Sequence, residues 1–152
     1  MEAQVIITAF ATLFVIIDPI GLTPLFVALT QGMPDQARRA IALRACIISA
    51  VILLVFALFG EAALGFAGIS LPAFRIAGGI LLFLTALEML FERRSKRRED
   101  QAEDDRPDPS VFPLAIPLIA GPGAIASMIL LTGDGDVIQL ATISGVMLSV
   151  IA

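Results

Sequence analysis

Ile16-Ile17-Asp18-Pro19-Ile20-Gly21-Leu22-Thr23-Pro24 sets an acid, two prolines and a glycine in the middle of an otherwise apolar run. Far along the chain, Leu118-Ile119-Ala120-Gly121-Pro122-Gly123 interrupts a second apolar run in the same manner. Laying Gly21 over Gly123 also pairs Phe10 with Phe112, Leu29 with Leu131 and Thr30 with Thr132. Proline inside a helix removes an N–H and clashes with the preceding turn, and glycine accepts dihedrals that other residues avoid. Both runs should therefore break at these clusters. Matched Gly/Pro-interrupted spans in two halves of a membrane chain point to a transporter site near the bilayer midplane.

Composition makes the bilayer the expected solvent. Of 152 residues, 58% are hydrophobic and 16% charged, whereas about a quarter of an average soluble domain is charged. Mean hydropathy is +0.95, and most of the charge crowds between Glu88 and Asp108. The net charge of −4 reflects the loops and says little about partners. Nucleic-acid binding has no support, since the one basic cluster lies beside an apolar span and is followed directly by acids. With no histidine and a single cysteine, Cys46, the chain has neither an internal disulfide nor the ligands of a zinc or copper site. Cys46 packs as a small hydrophobe. Met1-Glu2-Ala3-Gln4 lacks the basic start of a secretory signal, so the first apolar segment reads as a permanent span.

About 20 apolar residues make a spanning helix. Residues 5–30 form the first candidate, long enough to tolerate a break at Asp18. After a loop at residues 31–35, Arg38, Arg39 and Arg44 lead into a second apolar helix at 45–59, whose far end Gly60, Gly65 and Gly68 should loosen. Leu71-Pro72 opens a third span running to about residue 91, proline being suited to a first helical turn. A charged connector follows at 92–110, basic from Arg93 to Arg98 and then acidic, and its composition is that of a solvated segment. The fourth span, 111–132, is broken at Pro117 and at Gly121-Pro122-Gly123, and a fifth apolar run occupies 137–152. That run is still apolar where the sequence stops, so a fragment or a truncated second repeat is expected.

The fold class expected is an all-α polytopic membrane protein. It divides into a first three-helix repeat at 1–91, the connector at 92–110 and an incomplete second repeat at 111–152, with the first and fourth helices broken. Short-loop Lys and Arg set orientation. Arg38, Arg39 and Arg44 on one side, with Arg93, Arg94, Lys96, Arg97 and Arg98, put those loops in the cytoplasm and the amino terminus outside. Three spans per unit then make the repeats inverted, the relation that alternating access requires.

Asp18 is the sole ionisable side chain from Val5 to Thr30, near mid-membrane by counting from either end. A carboxylate at a helix centre costs roughly 2.5–3.5 kcal/mol on insertion scales and so marks a polar cavity. Asp18-Pro19 fits a helix cap followed by proline at the first helical position. The helix resuming there would offer the amides of Ile20, Gly21 and Leu22. Gly121-Pro122-Gly123 has the same geometry without an acid, and such a terminus suits a carboxylate or other small anion. Together the clusters would form a small polar pocket, with amides for an anionic group and Asp18 for a cationic group or a proton. Thr23, and Ser127 one turn past Gly123, are candidate lining residues, with bonding back to their own helices as the simpler reading.

Three motifs in order carry a resemblance: residues 18–26 (Asp18-Pro19-Ile20-Gly21-Leu22-Thr23-Pro24-Leu25-Phe26), 74–82 (Phe74-Arg75-Ile76-Ala77-Gly78-Gly79-Ile80-Leu81-Leu82) and 113–124, which contains Pro117 and Gly121-Pro122-Gly123. Over essentially its whole length the chain resembles the MarC family of bacterial and archaeal integral membrane proteins. The resemblance implies a multi-pass inner-membrane protein of six helices in two inverted three-helix repeats. Its broken first and fourth helices match residues 18–24 and 121–123. It also implies kinship with transporters of small neutral amino acids, glycine and alanine among them.

The expected function is thus secondary transport of a small zwitterionic solute, a neutral amino acid. Its carboxylate would meet the amides at residues 121–123 or 20–22, and its ammonium would face Asp18. The substrate-binding set is Asp18, Pro19, Ile20, Gly21, Leu22, Thr23, Gly121, Pro122, Gly123 and Ser127. No cofactor is expected, coupling to a proton or sodium ion is open, and so is assembly as a homo-oligomer in the lipid bilayer. The competing reading is a membrane-embedded interaction or structural protein whose breaks only shape packing. An enzyme is not expected, for the spans hold no histidine, no paired carboxylates and no nucleophile–base arrangement.

Overall fold

The computed structural model describes residues 2–91, 108–133, 135 and 137–152. Most of the connector expected at 92–110 lies outside these residues, as do Asp134 and Asp136. Seven wound segments follow in chain order: α1 (Glu2–Ile17), α2 (Pro19–Leu29), α3 (Asp35–Phe66), α4 (Leu71–Leu90), α5 (Ser110–Ile119), α6 (Pro122–Thr132) and α7 (Val137–Ile151). Among the described residues there is no strand. Three apolar helices, 3–29 taken through its break, α3 and α4, are long enough to cross a membrane, and the α5–α6 pair, bent by 53°, makes a fourth if counted as one broken span.

Each helix is sorted by its lipid and protein faces. On α1 the buried residues are Ala9, Leu13 and Ile17, one ridge at four-residue spacing, while Ile7, Phe10 and Val15 are exposed. On α3 the ridge is longer, through Ile41, Ala45, Ser49, Leu53, Ala57 and Gly60, and α5, α6 and α7 pack along it. The large apolar side chains left outside, such as Val51, Val55, Ile80 and Phe83, suit hydrocarbon.

α6 is the hub, packing on α1, α3, α4 and α7. Gly123, Ala124, Ala126, Ser127, Met128, Ile129 and Thr132 are all buried on its 11 residues. Small residues let its neighbours close in. A Cβ at Gly78 of α4 would lie 3.0 Å from Leu130 Cδ1, and one at Gly60 of α3 would lie 2.5 Å from Ile129 Cγ1. The Thr132 hydroxyl reaches the Met128 carbonyl at 2.7 Å and the Ala57 carbonyl at 3.3 Å, tying α6 to α3.

Three expectations need correcting. The second span is not confined to 45–59: α3 has 32 residues and runs unbroken through Gly60 and Gly65. Its arginines are helical, and Gly68, at φ 72°, marks the turn beyond it. The fourth span breaks once more than expected, at Phe112 as well as Ile116, both extended (φ −129°, ψ 127° and φ −128°, ψ 124°). Each precedes a proline, whose ring crowds the helical conformation of the residue before it. Finally, α2 and α6 both have 11 residues and both begin with proline, so Pro19 matches Pro122, one residue out of step with laying Gly21 over Gly123.

Candidate functional site

The first break is made by Asp18 itself. Its amide closes α1 on the Phe14 carbonyl at 2.9 Å, and its backbone then turns left-handed (φ 55°, ψ 62°). Aspartate is among the few non-glycine residues that take this conformation at modest cost. The chain re-enters a helix at Pro19, and the Asp18 carboxylate accepts from the Gly21 amide at 3.0 Å, an N-cap as the sequence suggested. Gly21 is small for a direct reason: a Cβ there would collide with the Asp18 carboxylate.

This cap changes the donor inventory. Of the three amides expected to be available, Gly21 is taken by the Asp18 side chain and Leu22 donates to the Asp18 carbonyl at 3.0 Å. That leaves Ile20, a first-turn residue whose amide has no partner inside its own helix and which is 72% exposed. The first helix end is therefore already occupied by an anion, the protein's own.

The second break has no such side chain. Gly121 caps α6 with extended backbone (φ −81°, ψ 170°), Pro122 follows, and Ile125 donates to the Gly121 carbonyl at 3.0 Å. Gly123 and Ala124 lie in the first turn of α6, where an amide has no partner inside its own helix. A Cβ at Gly121 would strike the Pro117 carbonyl oxygen, so the tight bend from α5 into α6 needs glycine there.

The two breaks lie against each other. A Cβ on Gly123 would sit 3.3 Å from Ile16 Cγ2, two residues before Asp18, with Leu82 Cδ2 at 3.8 Å and Thr85 Oγ1 at 4.0 Å. Thr85 on α4 is the residue that sequence reading missed. Its hydroxyl donates to the Leu81 carbonyl at 2.9 Å, leaving oxygen lone pairs beside the second break. An isolated threonine in an apolar span carries no signal of its own.

The remaining candidates divide into two groups. Gly121, Gly123 and Ser127 are buried, and the Ser127 hydroxyl bonds back to the Gly123 carbonyl at 2.8 Å. Pro19, Leu22 and Thr23 instead line a cleft of about 200 Å³ between α2, α3, α5 and α7, and the Thr23 hydroxyl bonds back to the Pro19 carbonyl at 3.0 Å. Ile20 and Pro122 are exposed, and Asp18 is half-buried between the groups.

A family model described as "MarC family integral membrane protein" matches residues 3–152. The chain belongs to the MarC family. It is 43% identical over 141 residues to a UPF0056 membrane protein of Methanocaldococcus jannaschii, covering 90% of this chain and 69% of that relative. A second such protein of the same archaeon is 45% identical over 138 residues, covering 88% and 60%. The UPF0056 inner membrane protein YhgN of Escherichia coli is 37% identical over 127 residues, covering 84% and 64%. The chain thus spans roughly two thirds of the length of these relatives. No solved structure matches it. Archaeal and bacterial MarC homologues, together with several long apolar helices, make this a multi-pass membrane protein.

Proposed function

We propose that this MarC protein is a secondary transporter of small neutral amino acids, working by alternating access around the two helix breaks. The observation that carries the reading is the contact of Gly123 with Ile16, which sets the capless start of α6 beside the acid-capped start of α2. The first-turn amides of Gly123 and Ala124 suit a solute carboxylate, and the Asp18 carboxylate suits an ammonium or a coupling proton. Equal lengths and proline starts in α2 and α6 support two inverted repeats that rock about this point. Arg38, Arg39 and Arg44 support an orientation with the α2–α3 loop cytoplasmic and the amino terminus outside.

A second reading has its own support. Thr23 and Ser127 bond back to their own helices, and Gly123 is packed by Ile16 and Leu82, as a structural membrane protein would require. A thermal-shift titration of purified protein with glycine, alanine and bulkier amino acids separates the two. The transporter reading expects saturable stabilisation by glycine and alanine that fades with side-chain size. Flat curves throughout would leave the breaks as packing devices.

A further inference from the structure

On the α2–α3 side of the molecule, away from the first-turn amides of α6, two hollows share a wall. One, of about 310 Å³, is lined by Phe26, Asp35, Arg38, Arg39 and Ala42. The other is the cleft of about 200 Å³ that runs past Phe26 and Ala42 to Ala45, Cys46, Leu22, Thr23 and Pro19. Phe26 and Ala42 line both, so a charged mouth and an apolar slot lie on either side of a shared wall. From Arg38 to Cys46 along α3 the rise is about 12 Å.

The two ends differ in chemistry. At the mouth, Arg38 is held by the Thr30 hydroxyl at 3.3 Å and only loosely by Asp35 at 3.8 Å. Asp35 is 91% exposed, so water screens that pair. Arg39 makes no ion pair among the described residues, which leaves the mouth net positive. In the slot the polar side-chain atoms are already engaged, Thr23 with the Pro19 carbonyl at 3.0 Å and Cys46 with the Ile151 carbonyl at 3.6 Å. A polar solute would find nothing there to bond, whereas a hydrocarbon chain loses nothing.

We propose that these adjoining hollows hold one anionic phospholipid, its phosphate on Arg38 and Arg39 and an acyl chain in the slot between α2 and α3. Guanidinium forks match phosphate oxygens in geometry and charge, and arginines one to two turns from a helix end sit where headgroups lie. An apolar slot adjoining that mouth is what distinguishes a lipid from free phosphate. The slot shares Pro19, Leu22 and Thr23 with the expected substrate-binding set, but the proposal uses none of the α6 amides and does not rest on the solute reading.

Cys46, the single cysteine, reports on the slot. The test is the rate of N-ethylmaleimide modification of purified protein titrated with dioleoylphosphatidylglycerol, dioleoylphosphatidylcholine or inorganic phosphate, with native mass spectrometry counting retained lipid. Phosphatidylglycerol is expected to slow the reaction severalfold at saturation, while phosphatidylcholine and phosphate leave it unchanged. Replacing both arginines (Arg38→Gln with Arg39→Gln) should weaken phosphatidylglycerol retention roughly thirtyfold. Equal protection by the two lipids, protection by phosphate alone, or unaltered retention in the double variant would each overturn the proposal. Should that variant aggregate, the comparison of the two lipids on the native protein decides alone.

Discussion

Asp18 performs two tasks that a substitution can separate. Its carboxylate caps α2 through Gly21, and its left-handed backbone turns the chain. Asparagine caps as well and tolerates the same dihedrals, so Asp18→Asn removes the charge and keeps the break. This variant is expected to fold with an unchanged melting temperature and to lose or uncouple amino-acid uptake in proteoliposomes; unchanged uptake and coupling would remove Asp18 from the mechanism. Asp18→Ala loses the cap too and should cost about 1 kcal/mol of stability besides. A second acid acts at the membrane edge. Beside Asp108 the Ser110 amide bonds the carboxylate at 3.0 Å, and Arg44 forms a salt bridge with it. The Ser110 hydroxyl and amide, and then the Arg44 charge, hold the Asp108 carboxyl below its ordinary value of 3.8, although that hydroxyl closes no hydrogen bond of normal geometry. A depressed folded-state pKa stabilises fully above the unfolded value, and the benefit drains away as pH falls through the folded one. Asp108→Asn should therefore lower the melting temperature slightly and evenly from about pH 7 to pH 5, the gap closing below about pH 4. Asp18 was legible because an acid inside an apolar run has few innocent explanations. The Arg44–Asp108 contact was not, because 64 residues separate its partners and their meeting depends on how α3 packs on α5.

At the scale of helices, glycines that look alike in the sequence do different work. Gly60 and Gly65 both read as loosening the end of the second span, yet α3 passes through both. A Cβ at Gly60 meets Ile129 on α6, whereas one at Gly65 meets nothing within 4 Å. Gly60→Ala should destabilise by about 1–3 kcal/mol through overpacking, and adding Ile129→Ala should recover part of that loss, a coupling that a double-mutant cycle measures. Gly65→Ala should instead be neutral or stabilise by up to about 1 kcal/mol. Denaturation of the purified variants checks all three, and additive losses at Gly60 and Ile129 would contradict the close approach of α3 to α6. The spans themselves, the two breaks and the start of α4 at Leu71 were open to sequence reading, since hydropathy and proline act locally. Which glycine touches a neighbour is a matter of tertiary packing. The extra break at Phe112 was readable in principle from Phe112-Pro113, and the one-residue offset between pairing Pro19 with Pro122 and pairing Gly21 with Gly123 was not, since it emerges only when the caps of α2 and α6 are seen.

For the molecule as a whole, the second half-helix lies at the centre and the first at the edge. α6 is buried among α1, α3, α4 and α7, while α2 carries exposed Ile20 and Val27 and borders the apolar slot. The proposed carrier would move α2 and its neighbours around α6, with Ile16, two residues before Asp18, against Gly123 at the seam. Everything in that account depends on the two breaks adjoining. The direct measurement is disulfide trapping in native membranes, with Ile16→Cys and Gly123→Cys combined on a Cys46→Ser background. Ile16 Cγ2, where a sulfur would sit, is 3.3 Å from the Cβ position of Gly123, within reach of a disulfide. The account predicts rapid cross-linking under mild oxidant, slowed by saturating alanine. Two cysteines that stay reduced while control pairs along the α3–α6 seam cross-link would contradict it.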